Sequence, residues 1–145
     1  NLINLKKIFI ASDHAGYNLK ESIKYYFDKK KILYFDFGPF NSERCDYPDF
    51  AHKVSRKVSS NDKFMGILVC GSGLGMNMAA NKHKKIRAAQ CLNVKSAKLS
   101  RLHNDANIIT LGSRLLKKKN ALDCIRVFIN TKFEGGRHKK RIKKI

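Results

Sequence analysis

Apolar residues along this chain gather into short runs separated by amphipathic stretches. Five runs read as strands: Lys7 to Ala11 (KIFIA), Ile32 to Phe37 (ILYFDF), Phe64 to Cys70 (FMGILVC), Ile86 to Cys91 (IRAAQC) and Ala106 to Leu111 (ANIITL). Between them, Leu19, Ile23 and Phe27 recur at four-residue spacing after Gly16, and Leu122, Ile125 and Ile129 follow a helical period near the end. Residues 48–59 open with Pro48 and carry Phe50, Ala51, Val54 and Val58, which predicts a helix with proline in its first turn. Short apolar strands alternating with helices predict βαβ units: an α/β fold with a mainly parallel five-stranded sheet covered on both faces. Ligands of such sheets bind beyond the carboxyl ends of the strands. There the chain has SDHAG after the first strand, GSGLG after the third and GSR after the fifth.

The 145 residues, 43% of them apolar, suffice for one core and read as one domain, 1–145. Neither a Ser/Pro-rich linker nor a repeat of fixed period divides them. The apolar runs are too short to cross a bilayer and no leader precedes the first strand, so a soluble cytoplasmic protein is the expectation. Cys45, Cys70, Cys91 and Cys124 are widely spaced, with no CxxC pair and no histidine at zinc-site spacing. That pattern predicts reduced thiols and no metal. Lys and Arg number 31 against 11 Asp and Glu, a net charge of +20. Such an excess suits a polyanion partner when it is concentrated on one face. Here it is dispersed over Lys29 to Lys31, Lys82 to Lys85, Lys117 to Lys119 and Lys139 to Lys144, mostly at predicted helix ends, and reads as solvated surface. Nucleic acid is therefore not an expected partner. The tail KKRIKK is the one place where that reading could fail.

The segment Met65 to Met78 carries the most chemistry. An apolar strand delivers Cys70 into GSGLG, which opens into MNMAANK. A dinucleotide fingerprint would need a small residue where Met76 stands and an acid about 20 positions on, yet no Asp or Glu occurs from Lys63 to Asn104. A Walker loop would need Gly-Lys-Ser/Thr, and a thiol phosphatase an Arg in place of Met76; both are missing. Two readings of Cys70 stay open. A thiol set among loop N–H dipoles is a candidate base for enolisation, with the same N–H groups holding the oxyanion. Alternatively it is a small buried hydrophobe. His52 and His83 fall on predicted polar helical faces, whereas His14, His103 and His138 lie in the polar clusters SDHAG, RLHND and GGRHKKR. His103, with Asn104 and Asp105, is either a capped turn or a proton donor and acceptor for a sugar ring oxygen. Arg114, Arg137 and Arg141 offer planar donors suited to phosphate, the last two sharing one face if their segment is helical.

The motifs ASDHAG, SERCDYPDFA, ILVCGSGLGMNMAANK, IRAA, LSRLHNDANI, LGSR and FEGGRHKKRI, in that order, resemble the type B ribose-5-phosphate isomerase family, which includes allose- and galactose-phosphate isomerases. The resemblance implies a three-layer α/β/α, Rossmann-like sandwich. It also implies a homodimer, or a tetramer, whose active sites draw on both subunits, with the basic tail from about 133 to 145 contributing. No cofactor and no metal are expected. Carried over by position, Cys70 is the base that moves a proton between C1 and C2, and Gly71, Ser72, Gly73, Leu74 and Gly75 hold the enediolate. Many members have Thr where this chain has Ser72; the hydroxyl that handles oxygen protons is retained. His103 opens the furanose ring with Asp13 nearby, Asn104 and Tyr47 contact sugar hydroxyls, and Arg114, Arg137, Arg141 and His14 bind phosphate, some across the subunit interface. The implied activity interconverts D-ribose 5-phosphate and D-ribulose 5-phosphate, a step of the non-oxidative pentose phosphate branch. A six-carbon sugar phosphate (allose or galactose) is the alternative substrate, and a polyanion-binding protein on an inactive isomerase fold the remaining one.

Overall fold

The computed structural model describes residues 6–145. In chain order its elements are β1 (Lys7–Ser12), α1 (Tyr17–Lys30), β2 (Tyr34–Asp36), α2 (Tyr47–Ser59), β3 (Phe64–Cys70), α3 (Leu74–Ala80), β4 (Ala88–Gln90), α4 (Val94–Asn104), β5 (Ile108–Gly112), α5 (Lys118–Asn130) and α6 (His138–Ile142). The five strands form one parallel sheet in the order β2-β1-β3-β5-β4.

Strand alternation sorts the core into two layers. Ile8, Ile10, Ile67, Val69, Ile109 and Leu111 face α1, α4 and α5, where they meet Ile23, Phe27, Ala97, Ile125 and Phe128. Phe9, Ala11, Leu68, Cys70 and Ile108 face α2 and α3, against Ala51, Val54, Val58, Met76 and Ala80. Each fully buried large side chain among them contributes roughly 1.5–3 kcal/mol. The result is the three-layer α/β/α sandwich. β1 leads outward to β2, after which the chain returns to lay β3 on the other side of β1, so a crevice opens between the carboxyl ends of β1 and β3.

Several expectations shift. The edge strands β2 and β4 span three residues each, shorter than the apolar runs that announced them, although single backbone bonds continue past them, from Phe37 N–H to the Ile10 carbonyl and from Cys91 N–H to the Thr110 carbonyl. The segment ending in His103 and Asn104 is not a turn but the last turn of α4, and Asp105 follows as a left-handed cap at φ 46°. His83 lies in a bend after α3 rather than on a helical face, and its Nε2 meets His52 Nδ1 at 2.7 Å. Lys117 to Lys119 sit at the amino end of α5, the end where cations are disfavoured by the helix dipole.

One charge is inside. Lys20, on α1, is fully buried; its Nζ donates to both carboxylate oxygens of Asp36 at 2.7 and 2.9 Å and to the Pro39 carbonyl at 2.6 Å. Burial alone would raise the Asp36 pKa, but hydrogen bonds from Lys20, Lys24 and the Gly38 N–H outweigh it and hold the carboxyl below its usual range. The pair joins α1 to the end of β2 and the loop that follows.

Candidate active site

β3 ends at Cys70, directly beside Gly112 at the end of β5. Backbone pairing continues past both strands: Ser113 N–H donates to the Cys70 carbonyl and Arg114 N–H to the Gly71 carbonyl, each at 2.9 Å. On the other side, Asp13 N–H donates to the Val69 carbonyl at 3.1 Å. The thiol is thus flanked by the ends of the two strands nearest to it. Gly73 turns the loop through φ 78°, a conformation other residues rarely adopt, and its N–H donates to Cys70 Sγ at 3.2 Å. Leu74 N–H caps on Ser72 Oγ at 3.2 Å, and Gln90 Nε2 donates to the Ser72 carbonyl at 2.8 Å.

Two glycines of this loop leave room for side chains that cross it. A Cβ on Gly75 would lie 2.4 Å from the Tyr47 ring, and one on Gly71 would lie 2.9 Å from Arg114 Nη1. Their absence lets Tyr47 lie over the start of α3 and Arg114 cross the loop. Together these residues line a cleft of about 420 Å³ that includes Asp13, Tyr47, Cys70, Gly71, Ser72 and Arg114. Cys70 is 4% exposed and Asp13 7%, the latter accepting the Gly16 N–H at 2.9 Å. No acid lies near Cys70 in sequence; the fold brings one to the same cleft.

The remaining candidates gather elsewhere. His103 stacks on His138 with ring centroids 4.4 Å apart and planes at 17°, and its Nε2 lies 3.9 Å from Glu134 Oε2. Burial, together with Arg137 and His103, pushes the His138 imidazole below its ordinary pKa. Arg137 caps α6 and Arg141 lies one turn further on, while Glu134 N–H ties the segment to the Leu102 carbonyl of α4 at 3.1 Å. None of His103, Asn104, Arg137 and Arg141 lines the Cys70 cleft, nor does His14, whose Nδ1 sits 3.2 Å from the Cys45 carbonyl. Within one chain, then, Asp13 accompanies Cys70 rather than His103. Leu74 points outward, 46% exposed. Glu134 is the residue that sequence reasoning missed, since only the return of the chain to α4 brings it to His103.

A sheltered thiol with a carboxylate beside it can move a proton, and a separate cluster of imidazoles and guanidinium groups can hold an anion. The sequence profile of the Ribose/Galactose Isomerase family matches residues 8–145, and this chain belongs to that family. A putative sugar phosphate isomerase of Rickettsia bellii is 46% identical over 138 residues, covering 95% of this chain and 96% of its own. Ribose-5-phosphate isomerase B of Escherichia coli is 39% identical over 141 residues, with 97% and 95% covered. Among solved structures, a ribose 5-phosphate isomerase from Thermotoga maritima superposes with a TM-score of 0.93 at 48% identity, covering 96% of each chain. Ribose-5-phosphate isomerase B from Mycoplasma genitalium, solved with ribulose-5-phosphate bound, gives 0.92 at 44% identity, covering 95% of this chain and 92% of its own. Among the described residues no helix is long and apolar enough to cross a membrane.

Proposed function

We propose that this chain is a cytoplasmic aldose-ketose isomerase that interconverts D-ribose 5-phosphate and D-ribulose 5-phosphate without a cofactor. The observation that carries the reading is Cys70: a buried thiol whose sulfur accepts a loop N–H, in a cleft that holds a carboxylate and an arginine. His103 opens the furanose by protonating the ring oxygen and accepting the proton of the C1 hydroxyl. Cys70, as thiolate, then removes the proton from C2 of the open aldose. The electron pair moves onto the carbonyl oxygen at C1, giving a cis-enediolate that loop N–H groups between Gly71 and Gly75 hold. Ser72 passes a proton between the two oxygens, and the Cys70 thiol returns its proton to C1, leaving the ketose. Tyr47 and Asn104 contact the sugar hydroxyls; Arg114, Arg137, Arg141 and His14 take the phosphate.

The chain is one catalytic domain that acts as a homodimer, since His103, Asn104, Arg137 and Arg141 lie outside the Cys70 cleft of their own chain. A second copy supplies them, its segment 133–145 completing the site. Apolar surface favours the pairing: Leu74 and Met78, one turn apart on α3, are 46% and 68% exposed, and Leu92 is 51% exposed.

Cys70→Ala should lower turnover by about 10²–10⁴-fold while sugar phosphate still binds. Retention of more than about a tenth of the wild-type rate would remove Cys70 as the base. An assay of ribose 5-phosphate beside allose 6-phosphate should favour the five-carbon sugar by at least about tenfold in kcat/KM. The reverse preference would reassign the substrate to six carbons.

A further inference from the structure

We propose that His103, Glu134 and His138 form a zinc site through which the ion inhibits the enzyme. One ring nitrogen from each histidine and a carboxylate oxygen of Glu134 lie within 4.8 Å of one another. Two imidazoles and a carboxylate, with a fourth position left for water, are a donor set that suits zinc and not the oxygen-seeking magnesium or calcium. The three ligands come from two directions. His103 ends α4, while Gly135 and Gly136, at φ 75° and 55°, turn the chain between Glu134 and His138 so that both approach it.

A second observation points the same way. His138 is 5% exposed, and its Nε2 is buried with no hydrogen-bond partner among the described residues. A buried nitrogen left unpaired has a deficit that a bound ion or its water can make good. Zinc bonds of about 2.0–2.2 Å set ligand atoms about 3.4 Å apart. The 3.9 Å between His103 Nε2 and Glu134 Oε2 therefore has to close by about 0.5 Å. The His103 and His138 rings also stack at 17°, which keeps their in-plane nitrogens nearly parallel, so His103 must turn off the stack to share an ion with His138. Its side chain and that of Glu134 are 38% and 47% exposed and have room to turn. Arg137 and Arg141 stand close and oppose a cation, which weakens the site. Occupying His103 removes its exchangeable proton site, and so stops ring opening; that part rests on the role given to His103 above, while binding itself does not.

Zinc chloride titrated into the metal-free full chain, followed by calorimetry, should give one site per chain in the wild type and in Cys70→Ala. Glu134→Gln and His138→Asn should each weaken it by at least about tenfold, the loss expected when one ligand goes. Glu134 is half-exposed, so its variant keeps the test valid should the His138 variant misfold. Cobalt in place of zinc should show no sulfur-to-metal charge-transfer band. Unchanged binding in Glu134→Gln, loss of binding in Cys70→Ala, or a sulfur band would overturn the site. With each variant's own zinc-free rate as reference, zinc should inhibit wild type, chelator should reverse it, and Glu134→Gln should need at least about tenfold more zinc. Zinc bound at the triad with activity intact would overturn the inhibition and count against His103 as the ring-opening group, leaving the Cys70 chemistry untouched.

Discussion

The Cys70 cleft and the His103 cluster are held by different means. Backbone atoms build the cleft: strand ends extended by Asp13 N–H to Val69, Ser113 N–H to Cys70 and Arg114 N–H to Gly71, with glycines where side chains would collide. Side chains build the cluster: two stacked rings, a carboxylate at 3.9 Å and a helix of five residues tied back by Glu134. In the proposed reaction the cleft removes a proton from carbon, which needs groups placed to within a fraction of an ångström, and a sheet supplies that. Attraction for a phosphate falls off gently with distance, so a basic tail can supply it.

Substitutions can test that division, and the largest effect is expected at Gly112. A Cβ there would lie 2.5 Å from the Ser72 carbonyl carbon, so the loop must move. Gly112→Ala should cut kcat by about 10²-fold, the cost of roughly 1 Å of misplacement. A rise in KM alone would mean that the loop positions substrate instead of the reacting groups. Arg141→Ala comes next: KM for ribose 5-phosphate should rise about tenfold, the loss of one exposed charge-assisted contact, with kcat and thermal midpoint nearly unchanged. If kcat fell as far as in Gly112→Ala, the contrast between a precise cleft and a tolerant cluster would collapse.

The smallest effect concerns His83, which belongs to neither the cleft nor the cluster. Burial, with His52 and Arg56 adding to it, pushes its imidazole below the ordinary value near 6.5. As pH falls below about 6.5 the unfolded chain therefore takes up a proton that the folded chain refuses, so this part of the stability is full above that pH and declines beneath it. His83→Gln should flatten the fall in urea midpoint between about pH 6.5 and 5 and leave activity alone. An unchanged slope would show that the His52 contact does not govern acid sensitivity.

The central strands were readable because buried parallel strands must be apolar, and KIFIA and MGILVC are. α2 and α5 carried a clear helical period, but α4 did not: its buried face is Ala97, Ser100 and Arg101. Arg101 is tolerated inside because the Thr131 and Ala106 carbonyls and Asp105 accept its N–H groups, and the Thr131 partner, 30 residues on, is one that no local pattern encodes. The loop after Cys70 was legible through its glycines. The grouping of His103, Glu134 and His138 was not, because the 35 residues from His103 to His138 hide a return of the chain to α4, and a search for zinc spacing looks only at near neighbours. Cys70 and Asp13 likewise meet only because β1 and β3 are adjacent in the sheet.

Lys20 gives the molecule a built-in clock. Amine-directed reagents reach the exposed lysines of the folded protein, but its Nζ is sealed behind three oxygen contacts and has no exposed surface. It can be labelled only when α1 lifts from the loop after β2. The rate at which this one amine is modified therefore records how often that corner opens, while the other labels report the native surface.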